Sequence, residues 1–156
     1  MIFTPTPLAG SYVIDITPFE DSRGWIARTY CKEEFAQIGH RLEWVQMNHS
    51  ATFAMGTLRG MHFQVKPHEE IKMVKCIAGK VYDVIIDLRR GSTTFLKWFA
   101  TELSAENRKM LYIPEGFAHV FQTLTDNVEL LYQHTGFYQP DAEAGVRFDD
   151  PAIGIE

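Results

Sequence analysis

No stretch of this 156-residue chain approaches the ~20 consecutive apolar residues that a bilayer-spanning helix needs. No basic n-region followed by an apolar h-region opens it either, so a soluble protein without a secretory leader is the expectation. Cysteine is scarce: Cys31 and Cys76 stand in unrelated contexts, without the spacing of a metal site or a disulfide framework. Reduced thiols and a cytoplasmic setting follow as the default. Positive charge is short as well, with 15 Lys and Arg against 20 Asp and Glu and a net charge of −5, the wrong sign for a general nucleic-acid or membrane surface. Any anionic ligand must be gripped by a few placed arginines and lysines. No repeat, low-complexity tract or linker divides the chain, whose length fits one domain over residues 1–156.

Helical periodicity is nearly absent. Only Lys32 to Ile38 carries it, with Phe35 and Ile38 three residues apart. What the chain has instead is a 13% share of aromatics, including 11 Phe, which suits a β-rich core or a pocket walled by rings. Short β-branched and aromatic runs recur between turn signals: Ser11 to Ile16, Trp25 to Tyr30, Trp44 to Asn48, Thr57 to Gln64, Ile71 to Ala78, Val81 to Leu88, Phe95 to Leu103, Lys109 to Ile113, His119 to Leu124 and Val128 to His134. Asp21-Ser22-Arg23-Gly24, Ala78-Gly79-Lys80, Pro114-Glu115-Gly116 and Asp126-Asn127 are among the turns between them. The expected class is all-β, a double-sheet jelly roll with one or two short helices.

Alternation along these runs sorts the polar residues by face. Tyr132 points with Val128 and Leu130, Lys72 with Val74 and Cys76, and His62 with Leu58, Gly60 and Gln64. A histidine, a lysine and a tyrosine thus project into one interior from three strands. Arg59 falls on the opposite face by strict counting, and only a bulge near Gly60 would turn it inward. Two readings stand at this point. His62 can be a satisfied core histidine, Tyr132 a barrel tyrosine and Lys72 a snorkelling side chain. Alternatively the three form an acid/base pocket for proton abstraction next to a carbonyl, in which the imidazole takes the proton and the ammonium steadies the enolate oxygen.

Pro114-Glu115-Gly116-Phe117-Ala118-His119 reads P-x-G-x-x-H and resembles the second signature of the cupin superfamily. The first signature is matched in part from Gly56 to Gly79, but Gln64 stands at the second histidine place and Lys72 at the glutamate place. An ammonium at a ligand position repels a cation, so His62 and His119 alone make a poor metal site, and no metal is expected. A metal-dependent cupin built on those two histidines is the weakest of the readings.

The ordered motifs D-x-R-G (Asp21 to Gly24), Q-x-N-H-S (Gln46 to Ser50), L-R-G-x-H-F-Q (Leu58 to Gln64), V-Y-D-V-I-I-D-L-R (Val81 to Arg89), L-S-A-E-N (Leu103 to Asn107), I-P-E-G-F-A-H (Ile113 to His119), L-Y (Leu131, Tyr132) and D-D-P-A-I-G-I (Asp149 to Ile155), with the Lys72 strand among them, run through nearly the whole chain. Together they resemble the dTDP-4-dehydrorhamnose 3,5-epimerase family. The resemblance implies a homodimeric cupin that uses no cofactor and epimerises a dTDP-linked 4-keto-6-deoxy sugar at C3 and C5. It also implies that His62 is the base, Tyr132 the acid and Lys72 the enolate-stabilising cation. Arg23 and Arg59 would hold the diphosphate, Gln46, Met47 and Asn48 the nucleotide, and His119, Tyr138 and Glu143 further parts of the substrate. The N-terminal β segment from Phe3 to Ile16 would suit pairing with a partner sheet, and Asp83 would orient a histidine.

Departures from the family pattern stand beside the matches. Arg28 replaces a glutamate, Met47 an aspartate, Ile71 and Val120 glycines, Gln133 a lysine and Phe137 a tyrosine. The sequence ends at Glu156, where the family continues through a tail whose aspartate pairs with the catalytic histidine. The expectation is a single cupin-like domain lacking that tail, and three readings of it stand: the sequence is truncated there, another carboxylate such as Asp83 substitutes, or activity is impaired. A catalytically silent or C3-only sugar-nucleotide-binding cupin is the alternative.

Overall fold

Val81, Asp83 and Ile85 alternate with Val84 and Ile86 along one strand, and every one of them is buried. A strand buried on both faces needs a layer on each side. The computed structural model, which describes residues 1–155, supplies them. Its strands, in chain order, are β1 (Ile2–Pro5), β2 (Tyr12–Asp15), β3 (Phe19–Asp21), β4 (Gly24–Ile26), β5 (Gln46–Thr52), β6 (Leu58–Gln64), β7 (Lys72–Ala78), β8 (Lys80–Asp87), β9 (Trp98–Ser104), β10 (Met110–Ile113), β11 (Phe117–Thr123), β12 (Val128–His134) and β13 (Glu143–Gly145). The pairing is antiparallel throughout and makes a six-stranded sheet β1-β2-β10-β7-β12-β5, a five-stranded sheet β13-β6-β11-β8-β9 and a separate β3–β4 hairpin. This is the expected double-sheet jelly roll.

The inner core lies between the two sheets. Val74, Cys76, Leu111, Ile113, Val128 and Leu130 come from the six-stranded sheet and meet Val81, Ile85, Leu103, Phe117 and Phe121 from the other. Each large aliphatic side chain withdrawn from water here contributes about 1.5–3 kcal/mol. The alternate residues Met73, Met110 and Tyr112 face outward and are covered by Phe35 of α1 (Lys32–Phe35), the short helix the sequence predicts, which runs into a 3-10 turn at Ala36–Ile38. On the far side of the five-stranded sheet, Met61, Val84, Ile86 and Val120 are covered by Ile153 and Ile155. No helix of the described residues is long and apolar enough to cross a membrane.

Several boundaries differ from the sequence expectation. The run Trp25 to Tyr30 leaves the strand after Ile26, because Tyr30 turns into an aromatic cluster with Phe35 and Trp44 at 5.0 and 6.3 Å between ring centroids. Trp44 likewise sits outside its strand, stacked on His40 at 4.5 Å, so β5 begins at Gln46 and extends to Thr52. β3 and β13 escaped prediction: each has three residues, largely exposed, and is held by its partner strand rather than by an apolar pattern of its own. The Phe3 to Ile16 segment pairs within the chain, β1 against β2.

Candidate active site

β6 carries the device that shapes the site. Across β11, His62 faces His119, Gly60 faces Val120 and Arg59 faces Phe121, so Met61 is an extra residue on the β6 side. That bulge shifts the alternation by one position. Met61 drops into the outer core, and Arg59 joins His62 and His119 on the inner face. Gly60 makes the shift feasible, since it sits at φ +126° and a Cβ there would lie 2.5 Å from the His119 carbonyl oxygen.

On the facing sheet the inward positions align across three strands. Gln46, Asn48 and Ser50 of β5 lie opposite His134, Tyr132 and Leu130 of β12, and these in turn lie opposite Lys72, Val74 and Cys76 of β7. The β12–β7 register shifts at Glu129/Leu130, beyond which the apolar pair Leu130 and Cys76 gives way along the strands to Tyr132, His134 and Lys72. The polar ends of the two sheets enclose a cavity of about 870 Å³ lined by His62, Lys72, His119, Tyr132, Arg59 and Asn48 among others. A volume of that size holds a ligand larger than a single sugar ring. A smaller recess of about 160 Å³ adjoins it, sharing Asn48, His62, Lys72 and His134 and adding Gln46, Glu70, Tyr138 and Glu143.

Two polar networks line these spaces. At the rim, the Tyr138 hydroxyl donates to Glu143 Oε2 at 2.7 Å, the Tyr138 amide donates to Gln46 Oε1 at 3.1 Å, and Glu143 Oε1 lies 3.7 Å from His62 Nδ1. In the wall, Lys72 Nζ lies 3.2 Å from Glu70 Oε1, and Glu70 Oε2 lies 3.0 Å from His134 Nδ1. Burial pushes the Glu70 carboxyl up, but the His134 hydrogen bond and the Lys72 charge outweigh it and leave it below the ordinary glutamate value. Asp83, fully buried on β8, meets His119 Nε2 at 2.9 and 3.0 Å. Asp83 therefore orients a histidine, but that histidine is His119, and the carboxylate nearest the His62 ring is Glu143.

The structure gathers His62, Lys72, Tyr132, Arg59, Gln46, Asn48, His119, Tyr138 and Glu143 around the two connected spaces. Met47 lines the cavity although it pairs with Gln133, on the outward register of β5, and is largely exposed. Arg23 stands apart. It sits at the tip of the β3–β4 hairpin, 87% exposed and paired with Asp21 at 2.6 Å, away from the cavity of its own chain. Glu70 and His134 escaped the sequence reading. The signal was available for His134, two residues beyond Tyr132 on the same face, whereas Glu70 precedes its strand and carries no periodicity.

The electrostatics suit proton transfer at a carbon next to a carbonyl. Burial pushes the Tyr132 phenol up to about 12, so this group keeps its proton and can give it away. His62 is 62% exposed in its side chain, open to an incoming ligand, with the Glu143 carboxylate 3.7 Å from its Nδ1. Lys72 supplies a nearly buried cation, 13% exposed, on the cavity wall. Arg59 makes no salt bridge among the described residues, and its one hydrogen bond, to the Ala51 carbonyl, is 3.5 Å long, which leaves its guanidinium open to an anion.

Comparison with known proteins gives the family of the chain. The family model described as dTDP-4-dehydrorhamnose 3,5-epimerase matches residues 5–156. The chain is 41% identical to the dTDP-4-dehydrorhamnose 3,5-epimerase of Salmonella typhimurium, over 100% of this chain and 85% of that protein. Its fold superposes with a TM-score of 0.96 on the crystal structure of dTDP-4-dehydrorhamnose 3,5-epimerase from Elizabethkingia anophelis NUHP1, at 39% identity over 100% of this chain and 85% of that one. It matches with a TM-score of 0.94 the dTDP-6-deoxy-D-glucose-3,5-epimerase of Legionella pneumophila in complex with dTDP-4-keto-L-rhamnose, at 32% identity over 99% and 82% of the two chains. With its cupin fold, the chain belongs to the dTDP-4-dehydrorhamnose 3,5-epimerase family.

Proposed function

We propose that this protein epimerises a dTDP-linked 4-keto-6-deoxyhexose at C3 and C5, with His62, Lys72 and Tyr132 as its catalytic residues. The observation that carries the reading is their convergence from three strands of two sheets on one cavity, in a chain of this family. The C4 carbonyl acidifies the hydrogens on C3 and C5. His62 removes one of them, the electron pair moves onto the carbonyl oxygen, and Lys72 holds the resulting enolate. Such an electrostatic contact, removed by mutation, typically costs about 10²–10³ in rate. Tyr132 then delivers its proton to the opposite face of the same carbon, which inverts it. A single base serves both carbons if the ring turns between the two events.

Substrate binding falls to Arg59 on the diphosphate, Gln46, Asn48 and the Met47 main chain on the nucleotide, and His119, Tyr138 and Glu143 on the remainder. Arg23 fits this scheme through a homodimer. Its hairpin exposes Phe19, Trp25 and Ile26, an apolar surface suited to a second copy whose cavity the guanidinium would reach. The reading is tested by following a dTDP-4-keto-6-deoxyhexose with the purified protein by proton NMR. Inversion at both carbons is expected. Tight binding with no inversion would favour the silent-cupin alternative, and inversion at C3 alone the single-epimerase one.

A further inference from the structure

Lys72 and His134 stand directly opposite each other in the β7–β12 pairing, and Glu70 bridges them. All three are nearly buried: the side chains of Lys72, Glu70 and His134 are 13%, 7% and 10% exposed. A lysine is a poor fixed charge when left alone, because its four-carbon stem carries roughly 2 kcal/mol of rotamer entropy. Here one carboxylate oxygen takes the ammonium while the other accepts from His134 Nδ1, so the acceptor is itself anchored to the neighbouring strand. Gly136 closes on the same group from behind, since a Cβ at that position would lie 3.1 Å from the Glu70 Cβ. The ammonium has three donors, and Glu70 engages one side of it, leaving the rest toward the cavity.

We propose that Glu70 is a positioning residue that fixes the Lys72 ammonium at the place where the enolate oxygen forms, with His134 as the anchor of that carboxylate. The inference rests on the epimerase reading and adds to it a pair of residues that acts through Lys72 without touching the reacting atoms. It differs from a simple staple between β7 and β12. A staple loses stability when cut, whatever stands at position 72, whereas a positioning pair loses its effect on turnover once Lys72 is gone.

A mutant cycle separates the two. Glu70→Gln keeps the shape and removes the charge, and it should lower kcat about tenfold while KM stays within about twofold. His134→Gln should lower kcat by about threefold, because Glu70 then holds the ammonium without its own anchor. In a Lys72→Ala background neither change should lower kcat further, and losses that multiply there would overturn the proposal. Trace acetylation read by peptide mass spectrometry supplies a readout that needs no turnover. Lys72 should react several-fold faster in Glu70→Gln than in the unaltered protein, with the other lysines unchanged, and equal reactivity would also overturn it. If the unaltered protein turns over no sugar nucleotide, the epimerase reading fails, and the acetylation result still decides whether Glu70 holds Lys72.

Discussion

Arg59 and His62 stand three residues apart on one strand and still line the same cavity, because Met61 between them is the surplus residue of a bulge. In an uninterrupted strand they would face opposite ways. The backbone irregularity is thus what lets one short segment present both a guanidinium and an imidazole to one cavity.

Gly60→Ala tests that device. The added Cβ meets the His119 carbonyl oxygen at 2.5 Å and the Val120 Cα at 2.7 Å, at a φ of +126°. We expect a loss of about 2–4 kcal/mol in unfolding free energy, from strain and overpacking together. Urea unfolding checks it, and a change below about 0.5 kcal/mol, the range of an ordinary surface substitution, would show that the bulge tolerates a side chain.

Tyr132→Phe separates proton removal from inversion. The hydroxyl has one hydrogen bond, to Ser50 at 3.3 Å, so its loss should cost about 1 kcal/mol of stability or less. If Tyr132 is the acid, the variant should still wash deuterium from solvent into the sugar from the His62 side, while its rate of inversion falls. Equal losses of exchange and inversion would assign Tyr132 another role.

Stability against pH follows from the buried groups. Burial pushes the phenols of Tyr112 and Tyr132 up to about 12 and the Cys76 thiol, ordinarily near 9.0, up to about 11. Each holds its proton more tightly folded than unfolded, so the stability tied to these groups is intact below about pH 9 and drains away as the pH rises toward about 12. The Asp87 carboxyl acts in the opposite direction. Burial raises it, but hydrogen bonds from Arg89, Ser92 and Thr94 prevail and hold it well below the usual aspartate value. Its contribution is present above about pH 4 and is lost as the pH falls below that. Unfolding free energies should therefore decline on both sides, and a profile flat from about pH 8 to 11 would contradict the assignment.

Much of this was legible in the chain. Alternation placed Tyr132 and Lys72 on inward faces, and Lys32 to Ile38 reads as the helical segment, because in each case apolar neighbours mark the period. His62 is inward too, but Leu58 and Gly60, grouped with it by alternation, lie beyond the bulge in register with Gln122 and Val120 of the outer face. Arg59 was not settled, since a bulge leaves no periodic trace beyond a glycine. Glu70 was missed because its role comes from two partners on another strand and on the next residue but one, a relationship that only pairing reveals. The histidine expected to meet Asp83 was identified only by the register of β11 on β8, which sets His119 beside Ile85 and Phe121 beside Asp83.

The hairpin that carries Arg23 makes a prediction about assembly. Sedimentation should give about twice the 17.9 kDa chain mass, as a C2 pair requires. If the guanidinium serves the partner's cavity, mixed dimers of Arg23→Ala and His62→Ala chains should regain activity, because one of their two sites is then free of both defects. Additive loss in the mixture, or a monomer in the centrifuge, would return Arg23 to the solvent.

The most direct test is positional deuterium incorporation into a dTDP-4-keto-6-deoxyhexose in heavy water, with the unaltered protein and with His62→Ala side by side. The account predicts label at C3 and C5 with the former and a collapse of about 10²-fold or more with the latter, the scale of a lost general base. Undiminished labelling by His62→Ala would contradict it.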